Sequence, residues 1–138
     1  MTPDKIAAIH GRAMVVPRAW SEAEFAGLLA APGCVLSVHK MGFALGRVLL
    51  DEAELLTLAV DPDQQGKGIG RDCLEKFHWD AQEMGALRSI LEVAATNDPA
   101  RGLYLAIGYR EDGVRKAYYR TPDGPRIDAI LMSKGLNA

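Results

Sequence analysis

The stretch LLTLAVDPDQQGKGIGRDCLEKF narrows what this chain can fold into more than any other. An apolar run over 54–60 (ELLTLAV) reads as a strand and is ended by Asp61-Pro62. Gly66, Gly68 and Gly70 follow, and then Ile69, Cys73, Phe77, Ala81 and Met84 recur at helical spacing. They predict an amphipathic helix over 68–84, closed by Gly85. A helix that starts directly after such a loop presents backbone N–H groups with no partner inside the helix. Its dipole favours an anion there, and glycine lets the backbone lie close against a ligand. A pyrophosphate fits that description. The plain alternative is a tight strand-to-helix turn that needs glycine only for positive φ. A Walker loop is excluded, because Gly66-Lys67 is followed by Gly68 instead of Ser or Thr. The dinucleotide fingerprint fails too, since Arg71 stands where its third glycine belongs.

Around this unit the sequence predicts a short helix over 2–10 and a second over 22–29. The second begins with a capping box, Ser21 followed by Glu24 three residues on. Strands are expected over 34–39 and 43–50, turning at Met41-Gly42, so that with 54–60 they form an antiparallel meander. A strand over 89–95 (SILEVAA) precedes a helix in NDPARGLYLAIGY, with Asp98 as N-cap, Pro99 at the first helical position and Gly108 as terminator. A final strand pair, 109–119 and 127–133, is joined by RTPDGPR. The order predicts an α/β fold: a mixed, mostly antiparallel sheet flanked by helices, with one crossover.

The 138 residues suit one domain, 1–138, with no linker or repeat. A net charge of −2 offers no electrostatic footprint for nucleic acid. No apolar run reaches the roughly 20 residues of a membrane helix. Cys34 and Cys73 lack metal or redox spacing and read as reduced thiols, so the expected compartment is the cytoplasm. His10, His39 and His78 have no metal-ligand spacing, and structural or surface roles are expected for them; Trp79 falls off its helix's apolar stripe.

Several residues could carry chemistry. Glu92 sits mid-strand with Ile90 and Ala94 on its face, either exposed or in a pocket. Tyr104 shares helical spacing with Leu103 and Ile107 and could be core. Asn97 could shape the turn before its helix, Tyr118-Tyr119 should split between the two faces of a strand, and Trp20 could anchor its helix.

Gln65-x-x-Gly68-x-Gly70, after LAVDP and opening a helix, resembles the acetyl-CoA signature of the GNAT superfamily of N-acetyltransferases. LEVAATNDPARGLYLAIGY, KAYYRTPDGPRIDAILM and RAWSEAEF extend the likeness over about 18–134, and together they resemble its bacterial RimI branch, which acetylates the N-terminus of a small-subunit ribosomal protein. The resemblance implies the GNAT fold, with acetyl-CoA at a splayed strand pair. It implies that Gln65, Gly66, Lys67, Gly68, Ile69, Gly70 and Arg71 cradle the pyrophosphate, that Leu58, Ala59 and Val60 meet the pantetheine arm by their backbone, and that Asn97 helps bind the cofactor. Glu92 matches the general base, Tyr104 the acid that protonates the departing thiolate, and Trp20, Tyr118, Tyr119 and Asp128 the acceptor site. Ala117 stands where many relatives carry Asn.

The expected activity is direct transfer of acetyl from acetyl-CoA to a protein N-terminus, such as a ribosomal protein starting with alanine, without metal. Alternatives are a small-molecule amine or amino-acid acetyltransferase and a non-catalytic acyl-CoA-binding module. The expected assembly state is monomer or weak dimer.

Overall fold

The computed structural model describes residues 1–14, 18–122 and 124–136. Its elements run α1 (Pro3–Ala13), α2 (Glu22–Ala30), β1 (Cys34–His39), β2 (Gly42–Leu49), β3 (Glu52–Val60), a 3₁₀ turn (Pro62–Gln64), α3 (Ile69–Glu83), β4 (Arg88–Ala94), α4 (Asp98–Ile107), β5 (Arg110–Tyr119) and β6 (Ile127–Gly135). Of the loop RTPDGPR, Asp123 lies outside the described residues. The strands form one six-stranded sheet in the order β1-β2-β3-β4-β6-β5. Only β3 and β4 are parallel, as a crossover through α3 requires. No helix among the described residues is long and apolar enough to cross a membrane.

Two apolar clusters hold helices to opposite faces of the sheet. Leu74, Phe77 and Ala81 of α3, with Leu103 and Tyr104 of α4, pack on Ala44, Ala53, Leu55, Leu91 and Val93. On the other face Ile6 of α1 and Phe25 of α2 close over Phe43, Leu45 and Ala59. Ser21 caps α2 as its sequence predicts: the hydroxyl accepts the Glu24 N–H, and the Glu24 carboxylate accepts the Ser21 N–H. Gly46 is required where it stands, because a Cβ there would lie 2.6 Å from the Phe77 ring.

The central feature is a bulge in β3. Leu45 faces Thr57 while the next residue of β2, Gly46, faces Leu55, so Leu56 has no partner on β2. One extra residue reverses which face each later side chain meets. Ala53 and Leu55 point into the α3 cluster, whereas Ala59 belongs to the α1–α2 cluster and Leu58 and Val60 turn to α3. The β3–β4 ladder ends at the same place: its last pair is Leu55 with Leu91, although β3 continues to Val60 and β4 to Ala94. The two strands then diverge, and a cleft opens between them.

The edge strand β5 is exposed along nearly its whole length and carries Arg110, Glu111, Asp112, Arg115 and Lys116, charges that discourage pairing with another chain.

Candidate active site

Where β3 and β4 part, a cavity of about 100 Å³ is lined by Leu56, Thr57 and Leu58 on one side and by Glu92, Val93 and Ala94 on the other. Trp20, Asn97, Tyr104 and Tyr119 complete its wall. It adjoins a larger cavity of about 490 Å³ lined by Ala59, Val60, Gln65, Gly66, Gly68, Ile69, Gly70 and Arg71. Met14, Leu58, Asn97 and Ala100 line both. The glycine loop and the carboxylate Glu92 therefore sit at two ends of one continuous cleft.

The loop is built for close approach. Gly66 and Gly68 have φ of 81° and 80°, a region other residues enter at a cost, and neither would meet any protein atom with an added Cβ. Gly70 differs from both: a Cβ there would sit in ordinary van der Waals contact with Leu103 and Val60, at 3.5 and 3.6 Å, so protein packing alone does not demand glycine at that position. Gly68 is the N-cap of α3, with no side chain to cap it. The N–H groups of Ile69, Gly70 and Arg71 belong to the first helical turn and point away from the helix body. Arg12, in the last turn of α1, braces the start of the loop from the far side, bonding Asp61 at 2.6 Å and Asp63 at 2.8 Å. Lys67 does not line the cavity; its ammonium bonds the Gln64 side chain at 3.0 Å. The Gln65 amide reaches back to the Val60 carbonyl at 3.3 Å.

Asn97 corrects the expectation that Asp98 caps the second crossover helix. Its carbonyl accepts the Arg101 N–H and its side-chain oxygen accepts the Ala100 N–H at 3.2 Å, so α4 starts one residue earlier and Pro99 is its second residue. The same side chain lines both parts of the cleft.

Tyr104 is buried on α4 and packs edge-to-face on Tyr109, ring centroids 5.6 Å apart. Burial holds its phenol well above the usual range, so it stays protonated at neutral pH. Tyr109 is fixed in turn, its hydroxyl 2.7 Å from both His78 Nε2 and Ser89 Oγ. Burial and, secondarily, Glu92 push Tyr119 up to about 12. Glu92 is part-exposed, with Arg115 Nε 3.3 Å from its Oε1.

Tyr118 and Tyr119 do not split between two faces as alternation predicts: their ring centroids lie 5.1 Å apart, Tyr119 lining the cleft and Tyr118 exposed beside it under the Arg115 guanidinium, 5.3 Å from its ring centroid. Asp128 does not line the cleft. Its carboxylate accepts the Ala117 N–H at 2.7 Å and so holds a bulge of Lys116, Ala117 and Tyr118, which stand between the Arg115–Ala129 and Tyr119–Ile127 pairs. Trp20 lines the cleft. Its backbone N–H donates to His10 Nδ1 at 3.0 Å, so Nε2 carries the proton and donates to Thr57 Oγ1 at 2.9 Å. His10, fully buried, thus ties the Trp20 wall to the bulged part of β3. Sequence reading leaves His10 and Arg115 without site roles, because only the fold brings each beside a cleft residue.

A sheet split at one parallel pair, with a glycine-rich helix start below the split and a carboxylate and phenols within it, is the arrangement of an acyl-transfer enzyme. Residues 10–109 match the acetyltransferase (GNAT) family, and the chain belongs to that family. It is 40% identical over 138 aligned residues to the [ribosomal protein bS18]-alanine N-acetyltransferase of Escherichia coli K12, covering 96% of this chain and 91% of that protein. The protein of the same name from Salmonella typhimurium is 38% identical, over 91% of this chain and 85% of its own. The crystal structure of the Escherichia coli ribosomal-protein-S18-alanine N-acetyltransferase superposes with a TM-score of 0.86 at 34% identity, covering 99% of this chain and 88% of that one.

Proposed function

We propose that this acetyltransferase moves the acetyl group of acetyl-CoA to the N-terminal amine of a protein, a ribosomal protein starting with alanine, by direct transfer in a ternary complex. The observation that carries the reading is the divergence of β3 and β4 beyond Leu55 and Leu91, which opens one cleft from the glycine loop to Glu92. The names borne by relatives about 40% identical support the acceptor class.

The residues present fit acetyl-CoA. Two positive-φ glycines and the free N–H groups at the start of α3 suit a pyrophosphate, and about 490 Å³ adjoin them. Acetyl-CoA supplies an activated acyl group and a thiolate leaving group. Backbone N–H groups of Leu58, Ala59 and Val60, re-aimed by the bulge at Leu56, hold the pantetheine arm and polarise the acyl oxygen. Asn97, with its oxygen committed to α4, offers its amide N–H to the cofactor. Glu92 accepts the proton of the acceptor ammonium, directly or through water, leaving a neutral amine able to attack. Tyr104, held protonated by burial, gives its proton to the departing sulfur as the C–S bond breaks, and the second proton, shed by the newly bonded nitrogen, returns through water to the phenolate. Trp20 and Tyr119 wall the amine end, and Asp128 shapes that end through the β5 bulge. The cytoplasm suits such an acceptor.

The test is thiol release from acetyl-CoA with an alanine-initiated peptide of the ribosomal acceptor, set against free amino acids and polyamines. Turnover with the peptide is expected. Turnover only with free amines would overturn the acceptor reading and leave the acetyl transfer standing.

A further inference from the structure

The assigned base has a cation beside it that the proton traffic above does not use. Arg115 leaves β5 just before the three-residue bulge and brings Nε to 3.3 Å from Glu92 Oε1. Its guanidinium carbon lies 5.3 Å from the Tyr118 ring centroid at the same time. Tyr118 can stand under it only because the bulge, held by Asp128 on the Ala117 N–H, turns that ring back toward Arg115. The pair is half-open: the Arg115 side chain is 54% exposed and that of Glu92 25%. Water and ligand reach both groups.

An acceptor amine arrives protonated and seeks the same carboxylate. Two cations cannot share one monodentate contact without repulsion. We infer that Arg115 is a positioning residue and displaceable counter-ion of Glu92: it holds the carboxylate in the acceptor-free cleft and yields that contact to the incoming ammonium, while the Tyr118 ring keeps the guanidinium close. A retained cation next to an ammonium favours loss of the amine's proton, the form that reacts. The ring under Arg115 is what keeps its charge at the site once the carboxylate is taken. The inference rests on the reading of Glu92 as the base that meets the amine.

Its test is binding to the CoA-loaded protein, where no acetyl group is present and nothing turns over. An alanine-initiated peptide and its Nα-acetylated twin are titrated against wild type, Arg115→Met, Arg115→Lys and Glu92→Gln at low ionic strength. Arg115→Met is expected to bind the free-amine peptide roughly threefold or more tightly than wild type, with the acetylated twin unchanged. Arg115→Lys should restore wild-type values, because it keeps the charge. Equal change in both peptides, or no gain for the amine, overturns the counter-ion. If Glu92→Gln leaves the preference for amine over acetylated peptide intact, the base assignment fails instead. If only small amines bind, an amine and its acetylated form make the same comparison, so a wrong acceptor class and a wrong counter-ion show separately.

Discussion

Asp128 and Ala117 are joined by a 2.7 Å hydrogen bond from backbone N–H to carboxylate, and Ala117 adopts a φ of 51° to make it. Left-handed backbone costs a residue with a Cβ about 1–2 kcal/mol, which glycine avoids and asparagine tolerates. Ala117 is exposed, so its methyl returns little packing. Ala117→Gly is therefore expected to stabilise the protein by up to about 1 kcal/mol, read as a rise in Tm, with acetyl transfer kept. Asp128→Ala should act oppositely, lowering Tm and raising KM for the peptide acceptor, since the bulge that sets Tyr118 and Tyr119 loses its anchor.

Tyr104 is expected to matter for the chemical step and little for binding. Tyr104→Phe keeps the ring that packs on Tyr109 and removes only the proton donor. kcat should fall by roughly 10²-fold or more while the affinity for CoA stays within about twofold of wild type. Steady-state kinetics beside CoA titration by calorimetry check both halves. An unchanged kcat would remove Tyr104 from the proton route.

His10 and His78 make the fold sensitive to mild acid. Burial lowers both imidazoles from an ordinary 6.5 to about 4. Between those values the unfolded chain binds a proton at each position and the native protein does not, so stability present above pH 6.5 is lost as pH falls toward 4. Tm should decline between pH 6.5 and 5, above the range in which ordinary carboxylates titrate. Unfolding in that window should take up protons, measurable as buffer-dependent calorimetric enthalpy. A flat Tm there would contradict the neutral, doubly bonded His10.

Much of the fold was legible because each element carries its own signal. Ser21 and Glu24 specify the start of α2 by side chains three residues apart, and β1 has the predicted bounds of Cys34–His39. The loop-to-helix unit was legible for the same reason, since Gly66 and Gly68 do need positive φ. What depends on partners was not. The unpaired Leu56 follows from its register against β2, and the apolar run LLTLAV looks identical with or without a bulge. β6 lies between β4 and β5, which puts Arg115 within reach of Glu92, and no local pattern encodes that order. Asn97 and Asp98 are both good caps, and the choice between them lies in the backbone angle at which the chain leaves β4. Lys67 sits inside the motif, and that its side chain turns to Gln64, leaving its backbone to face the loop, is likewise not written in its letter.

The bulge at Leu56 also ties the place of the cleft to a residue count. Ala53 and Leu55 before it, and Thr57 and Ala59 after it, meet opposite layers because one unpaired position separates them. Many apolar side chains could occupy position 56. A chain one residue shorter here would make Leu55 and Thr57 neighbours, which plain alternation already sends to opposite faces, so Thr57 would keep His10 and Ala59 its cluster while the bulge vanished. The parting of β3 from β4, which begins at that position, would lose its cause. The letter at this place is free, and its count belongs to the cleft.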